Sequence, residues 1–240
     1  MTIRLFEVGG SIRDELMGID NPPDRDFCAE SPDGWEALLA WCHVNMERVF
    51  LVTPEFFTVR GRMSNGDSID VVMCRIDGTS SDGRHPDVVK AGTLLDDLAR
   101  RDFTVNAMAR EVNPVTLEPI GELVDPFDGS FDLEHRVLRC VGETKLRLKE
   151  DGLRILRGAR FIVTKDLMPN EDLKHALEIS DWWLWLEKTV STERIREELH
   201  KMFAHNTQAA MKFLSWNCSP SANRCLFSSG LWLKPSLGKK

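Results

Sequence analysis

Two short segments near the amino end of the chain pair a phosphate-binding pattern with a cation-binding pattern. The first is Gly9-Gly10-Ser11-Ile12-Arg13-Asp14, which follows an apolar run at residues 5–8. The glycines let the backbone approach a ligand closely, and the residues after them favour a helix. Because NH groups at a helix start carry partial positive charge, they suit triphosphate oxygens. The predicted phosphate-binding residues are Gly9, Gly10, Ser11 and Arg13.

The second segment is Asp24-Arg25-Asp26, which places two carboxylates two positions apart. In an extended chain such residues project from the same face, so both can hold a hard divalent cation through oxygen. Asp24 and Asp26 are therefore predicted to bind two Mg²⁺ ions, which would polarise a phosphate and activate an attacking hydroxyl. Either segment alone is common in turns and solvated loops, but their order and closeness favour a nucleotide and metal site.

A third carboxylate is predicted beside this pair. Asn65-Gly66-Asp67 separates two strand-like runs and has the composition of a hairpin turn, so the flanking strands are expected to be antiparallel. Ile69 and Val71 then point to one face and Asp70 to the other. Asp70 is accordingly the third candidate catalytic residue, with a solvent-facing position as the alternative.

The elements around these residues predict an α+β fold. Strand-like runs at residues 4–8, 26–30, 56–61 and 68–75 alternate with helical runs at 11–17 and 34–42, which is typical of a mixed sheet with helices. From about Leu138 onward the apolar spacing becomes helical, so the second half is predicted to be all α. Residues 77–93 are rich in Gly, Ser, Asp and Pro and predict a mobile loop.

Composition limits the remaining possibilities. Residues 1–135 contain 12 Lys and Arg against 26 Asp and Glu, whereas residues 136–240 contain 19 against 12. The acidic half suits metals and the basic half suits phosphates. The six cysteines have no metal-ligand or disulfide spacing and are expected to be buried free thiols. Without a secretory signal or an apolar run of about 18 residues, the expected location is cytoplasmic, with no membrane partner.

Three further segments complete a recognisable set of motifs. They are Arg100-Arg101-Asp102-Phe103-Thr104-Val105-Asn106-Ala107-Met108-Ala109, Glu150-Asp151-Gly152-Leu153-Arg154-Ile155-Leu156-Arg157-Gly158-Ala159-Arg160-Phe161 and Ser191-Thr192-Glu193-Arg194-Ile195-Arg196-Glu197-Glu198-Leu199. With the opening segments they make residues 3–205 resemble the class II tRNA nucleotidyltransferases, or CCA-adding enzymes, and the related bacterial poly(A) polymerases. Both belong to the polymerase beta-like nucleotidyltransferase superfamily.

The resemblance implies roles that the residues alone leave open. It implies that Arg101 binds the nucleotide and that Asp102 and Asn106 shape the sugar site. It also implies that Asp151 and Arg154 hydrogen-bond the incoming C or A. By spacing, these two share one face of a presumed helix, although an ordinary surface ion pair has the same spacing. Arg157 and Arg160 would lie along the nucleotide-facing helix.

The resemblance also implies a domain organisation. Residues 1–135 form a catalytic head, 136–205 a helical neck that binds the base, and 206–240 a short basic tail. Family members continue into body and tail domains that grip tRNA, whereas this chain ends at Lys240. A second copy in a homo-oligomer could supply the missing surface, or the substrate could be a shorter RNA. The segment Asp82-Gly83-Arg84-His85-Pro86 resembles the flexible loop of complete CCA-adders.

The predicted activity is template-independent addition of C, C and A to the 3′ end of tRNA from CTP and ATP, by in-line attack of the RNA 3′ hydroxyl on the α-phosphate. A poly(A) polymerase and an enzyme that adds only CC or only A are the alternatives within the family. A catalytically silent RNA-binding protein is the alternative outside enzymes, and a tRNA-modifying toxin is a further one.

Overall fold

The computed structural model describes residues 3–19, 25–77 and 89–227, which form two compact units. The first unit contains residues 3–19, 25–77 and 89–133, and the second contains residues 134–227. Asp24, most of the predicted mobile loop and residues 228–240 of the predicted tail lie outside the described residues. Within the described ranges, no helix is both long enough and apolar enough to cross a bilayer.

The first unit is built on a seven-stranded sheet. Its strands and those of a small separate hairpin are β1 (Arg4–Val8), β2 (Asp26–Glu30), β3 (Met46–Thr53), β4 (Thr58–Met63), β5 (Ser68–Met73), β6 (Arg75–Asp77), β7 (Val89–Ala91), β8 (Ala109–Val112) and β9 (Pro119–Val124). The sheet order is β3-β4-β5-β2-β1-β8-β9, in which β2 and β5 are parallel and all other neighbours antiparallel. Strands β6 and β7 pair separately.

Helices cover this sheet. They are α1 (Gly10–Leu16), α2 (Trp35–Asn45), α3 (Leu94–Ala99) and α4 (Gly129–Glu134), with 3-10 turns at Pro54–Phe56 and Thr104–Asn106. One face of the sheet packs against buried residues of α2, including Leu38 and Cys42. Alternation along β4 and β5 places Val59, Ile69 and Val71 in this core. The other face of these strands therefore carries their polar side chains.

The second unit is mainly helical. Its helices are α5 (Thr144–Glu150), α6 (Leu153–Lys165), α7 (Glu171–Glu178), α8 (Ser180–Thr189), α9 (Thr192–His205), α10 (Thr207–Asn217) and α11 (Pro220–Phe227). Helix α6 buries residues at three- and four-residue spacing, including Leu156 and Ala159. The all-α prediction missed β10 (Val137–Leu138) and β11 (Met168–Pro169), a parallel pair too short to show a period of two.

The structure agrees with the sequence interpretation of the thiols, and it also buries one tryptophan. Five of the six cysteines are buried and free, while the side chain of Cys225 lies outside the described residues. Burial raises the pKa of Cys42 and of Cys218 to about 12, so both stay protonated at neutral pH. Trp183 is fully buried, and its indole NH donates to the Leu177 carbonyl at 2.9 Å.

Candidate nucleotidyltransferase site

The glycine turn and two of the predicted carboxylates lie at one end of three neighbouring strands. Val8, the residue before Gly9, is the register partner of Asp26 in the antiparallel β1–β2 pair. Asp26 is in turn the register partner of Asp70 in the parallel β2–β5 pair. Because neighbouring strands lie about 4.8 Å apart, this register places Asp26 between the glycine turn and Asp70.

Asp26 and Asp70 open onto a cavity. It has a volume of about 450 Å³ and is lined by Arg25, Asp26, Arg60, Ser68 and Asp70. Asp26 is exposed, whereas Asp70 is held by Arg60, whose Nε and Nη2 each donate to one carboxylate oxygen at 2.6 Å. Both carboxylates therefore present oxygen atoms at the wall of this cavity. Each Asp70 oxygen keeps a second lone pair, so Arg60 orients this carboxylate without filling its capacity to accept.

Carboxylate oxygens of this kind are the donors that Mg²⁺ prefers. The described residues, which exclude 20–24 and 78–88, contain no group of three His, Cys, Asp or Glu side chains that could hold a metal. The predicted metal ligand Asp24 falls in the first of those gaps. The carboxylate oxygens of Asp26 fit a divalent cation, and magnesium binding there remains a prediction.

The glycine turn has a backbone that only glycine adopts readily. Gly9 has φ 79° and its NH donates to the Met108 carbonyl at 3.2 Å. A Cβ on Gly9 would lie 2.7 Å from Nη1 of Arg101, so the guanidinium lies directly against the turn. The hydroxyl of Ser11 is buried and has no hydrogen-bond partner among the described residues. The turn thus combines a bare backbone, a cation and an unused hydroxyl.

Residues from the predicted motif at positions 100–109 contact this turn. Arg13 is buried and donates to Asn106 Oδ1 at 2.5 Å and to Asp14 at 2.8 Å. Asn106 donates its side-chain NH to Asp102 Oδ1 at 2.9 Å, and Arg101 donates to the Asn106 carbonyl at 3.3 Å. Arg13, Arg101, Asp102 and Asn106 therefore form one network with the glycine turn. The guanidinium of Arg13 is occupied by hydrogen bonds within this network, so Arg13 stabilises the turn.

Arg101 has an anchor, Asp97, that was not predicted from the sequence. Asp97 is fully buried and accepts hydrogen bonds from Arg100 at 2.5 Å and from Arg101 at 3.1 Å. Burial by itself would raise the pKa of Asp97, but the charges and hydrogen bonds of the two arginines lower it below the ordinary value of 3.8. The i,i+4 spacing of Asp97 and Arg101 was the available signal.

In the second unit, one of the two residues predicted to bind the base has a different backbone conformation from the one expected. Asp151 was expected on a helix, but it lies in extended backbone between α5 and α6. Its carboxylate accepts the Leu153 NH at 2.9 Å and pairs with Arg194 at 2.9 Å. The expectation was wrong because an aspartate next to a helix start favours capping over helical geometry. Arg154 is on the helix and pairs with Glu150 at 2.7 Å.

The remaining two predicted arginines share a buried carboxylate. On α6, Arg160 contacts Glu198 of α9 at 2.5 Å and Arg157 contacts it at 3.6 Å. Lys201 adds a third cation at 3.5 Å. Glu198 is only 4% exposed, so this ion cluster fixes α6 against α9. The sequence spacing did not identify Glu198 as the centre of this ion cluster, because two of its partners lie on a different helix.

A mixed sheet with a glycine-opened helix and carboxylates on adjacent strands defines the fold of a nucleotidyltransferase head. The family model for the Poly A polymerase head domain matches residues 5–139. The CCA-adding enzyme of Lactobacillus helveticus is 39% identical over 218 residues, which are 89% of this chain and 50% of that protein. The chain therefore belongs to the tRNA nucleotidyltransferase family of CCA-adding enzymes and poly(A) polymerase head domains, as the motifs predicted.

Solved structures give the same result. The Thermotoga maritima CCA-adding enzyme in complex with tRNA has a TM-score of 0.71 and 27% identity, over 96% of this chain and 50% of that one. The Bacillus stearothermophilus CCA-adding enzyme in complex with CTP has a TM-score of 0.68 and 26% identity, over 93% and 47%. The predicted fold class is confirmed. The chain spans about half the length of the curated relatives it matches.

Proposed function

We propose that this chain is a template-independent RNA nucleotidyltransferase that adds C, C and A to the 3′ end of tRNA from CTP and ATP. One observation carries the proposal: the register of β1, β2 and β5 brings the glycine turn, Asp26 and Asp70 to the same end of the sheet. The similarity to enzymes solved with tRNA and with CTP supports the choice of substrates.

In the proposed reaction the RNA 3′ oxygen attacks the α-phosphorus, the bond from that phosphorus to the β-phosphate bridging oxygen breaks, and pyrophosphate leaves. The glycine turn, the Ser11 hydroxyl and Arg101 hold the triphosphate, while Asp102 and Asn106 shape the sugar site. Two magnesium ions held by Asp24 and Asp26 would supply the charge that polarises the phosphate. Asp70, which Arg60 orients, assists by accepting the proton of the attacking 3′ hydroxyl on an oxygen lone pair.

The helical residues are proposed to select the base. Asp151 and Arg154 would hydrogen-bond the edge of the incoming C or A, with Arg157 and Arg160 fixing the helix that presents them. The ion pairs of Asp151 with Arg194 and of Arg154 with Glu150 orient the two groups before the nucleotide binds. The head at residues 1–135, neck at 136–205 and tail at 206–240 remain our proposed division.

The deciding assay uses purified protein, Mg²⁺, a tRNA transcript lacking its 3′ end, and each nucleotide singly and combined, with the products sequenced. We expect C, C and A in that order. Long A tracts made from ATP alone would instead identify a poly(A) polymerase, and CC or A alone a partial adder. RNA binding without any product would identify a silent RNA-binding protein and contradict the proposal.

Asp26→Ala should lower the rate of nucleotide addition by about a thousandfold, because losing roughly 4 kcal/mol of phosphate stabilisation has that effect. The exposed loop variant Asp33→Ala removes the same charge from the same unit and should retain the wild-type rate. Circular dichroism checks that both variants are folded. Wild-type activity in Asp26→Ala would exclude the proposed catalytic role.

A further inference from the structure

The sheet face that carries Asp26 and Asp70 continues into an arginine and phenylalanine patch formed by Arg48, Phe50 and Arg62. Arg48 and Arg62 are register partners on β3 and β4. Their guanidinium carbons lie 5.6 and 5.5 Å from the centroid of the Phe50 ring. Phe50 is 43% exposed on an edge strand of the sheet.

This arrangement is costly in the free protein. Like charges directly opposite each other on neighbouring strands destabilise a sheet, and neither Arg48 nor Arg62 forms an ion pair with another described residue. The exposed part of the Phe50 ring also leaves apolar area in water, which burial by a partner would make more favourable. A ligand that carries both anionic groups and flat aromatic groups would relieve both costs. Single-stranded nucleic acid has that chemistry, because its phosphates pair with arginine and its bases stack on rings.

The patch is continuous with the catalytic carboxylates. Arg62 is the register partner of Ser68 on β5, and Arg60 is the register partner of Asp70. Alternation places Val59, Ile69 and Val71 in the core on the opposite face. Since Asp26 lies two strands from β4, only about 10 Å of sheet separates them. A strand whose 3′ end reaches Asp26 can therefore place its preceding nucleotides over the patch.

We propose that Arg48, Phe50 and Arg62 bind the single-stranded 3′-terminal nucleotides of the acceptor RNA. The two arginines hold consecutive phosphates, and a base stacks on Phe50 and the guanidinium planes over it. Arg60 is not part of this patch, since it is bound to Asp70. The proposal deepens the proposed function, on which it rests, by assigning a primer site to the catalytic face.

The test compares four variants by RNA binding and by steady-state addition of CTP. The charge-removing Arg48→Ala/Arg62→Ala should raise the RNA KM about tenfold and lower the salt slope of RNA binding by roughly 1.4, since each single-strand phosphate contact contributes about 0.7. The charge-keeping Arg48→Lys/Arg62→Lys should preserve that slope. Phe50→Ala should raise the RNA KM about tenfold at an unchanged slope, because it removes one stacking platform. Phe50→Trp should retain tight binding.

The control is Arg4→Ala/Arg136→Ala, which removes two charges from arginines whose side chains are at least half exposed elsewhere. This control should match wild type. In every variant the CTP KM and the kcat at saturating RNA should stay within about twofold of wild type, because the patch touches neither the nucleotide nor the reacting atoms. Thermal unfolding confirms that each variant is folded.

Direct binding separates this inference from the proposed function. Fluorescence anisotropy compares a hairpin RNA that has a single-stranded 3′ overhang with the same hairpin made blunt. Tighter binding of the overhang that is lost in Phe50→Ala would support the patch even if wild type added no nucleotide. Equal binding of the two RNAs would overturn it. A change of mass in sedimentation on Phe50→Ala, with RNA binding unchanged, would assign the patch to a protein contact and also overturn it.

Discussion

At the scale of residues, the site depends on one buried carboxylate that contacts no ligand in the proposed mechanism. Asp97 holds Arg100 and Arg101 by charge-assisted hydrogen bonds, and Arg101 then lies against Gly9. Losing Asp97 would leave both cations without this partner. We infer that Asp97 sets the position of Arg101 at the glycine turn.

This role predicts a specific pH dependence. Because the pKa of Asp97 is lowered in the folded state, its ion pairs stabilise the protein above the ordinary value of 3.8, and the contribution is lost as pH falls through the lowered pKa. Urea unfolding of wild type and Asp97→Asn should therefore differ most above pH 4 and converge below it. A difference that grew on acidification would contradict this assignment.

The glycine turn gives a second prediction at this scale. Gly9→Ala adds a Cβ 2.7 Å from Arg101 Nη1 at a positive φ, so Arg101 must shift. We expect the KM for CTP to rise at least about tenfold, because a displaced cation loses a charge-assisted contact worth roughly 1.5 kcal/mol or more. Gly18→Ala, also at positive φ but with open space around its Cβ position, is the matched control. Equal nucleotide KM values in the two variants would show that the close approach to Arg101 is unimportant.

The sequence showed which residues take part in the site network more accurately than it showed their backbone conformations. Gly9, Arg101, Asp102 and Asn106 were expected together and are in contact. Asp151 was placed wrongly because a capping carboxylate and a helical one have the same spacing to Arg154. No role was predicted for Asp97, because its complete burial depends on tertiary packing that the local sequence does not show.

At the scale of elements, α6 and α9 are joined by a buried ion cluster around Glu198. Replacing Glu198 with alanine removes the carboxylate that Arg160, whose side chain is only 12% exposed, contacts at 2.5 Å. Glu198→Ala should lower the free energy of unfolding by about 3 kcal/mol, because breaking one side of a buried pair strands the other charge. Chemical denaturation followed by tryptophan fluorescence measures this change.

Two further variants test whether lost charge pairing causes the predicted loss of stability in Glu198→Ala. Glu197→Ala, at an exposed position on the same helix, should change stability by no more than about 0.5 kcal/mol. Arg160→Met/Glu198→Leu should be more stable than Glu198→Ala, since it removes both charges instead of one. A double variant no more stable than Glu198→Ala would indicate that packing, rather than charge, accounts for the loss.

Element boundaries were predictable where one pattern runs without interruption. Strands β1 and β2 begin and end as predicted because their apolar runs are bounded by polar residues or, after Val8, by two glycines. The third predicted strand began two residues too early, since Pro54–Phe56 forms a 3-10 turn and Phe57 has positive φ. Sheet order was not predictable, because pairing between distant strands depends on contacts that no local window contains.

At the scale of the whole molecule, the uneven distribution of charge along the chain favours a cation as a partner for the proposed chemistry. Residues 1–135 carry a net charge of about −14, so an incoming triphosphate meets general repulsion. The predicted magnesium would offset that repulsion at the carboxylates. Nucleotide and metal should therefore bind together.

This coupling predicts a shift in thermal stability. Mg²⁺ with CTP at about 100 times its Kd should stabilise the folded protein by roughly 2.7 kcal/mol, which raises the midpoint by several degrees in a chain of this size. EDTA should abolish the shift, and Asp26→Ala should greatly reduce it. An equal shift with CTP in EDTA would contradict the metal assignment.

The position of β1 has a consequence for biosynthesis. Its residues pair with β2 on one side and with β8 on the other, so Leu5 lies opposite Val112. During synthesis, β1 must wait for more than a hundred later residues before its second edge is covered by β8, and closing so long a loop is slow. Until then a nascent chain exposes an unpaired hydrophobic ribbon, which is the feature that chaperones capture.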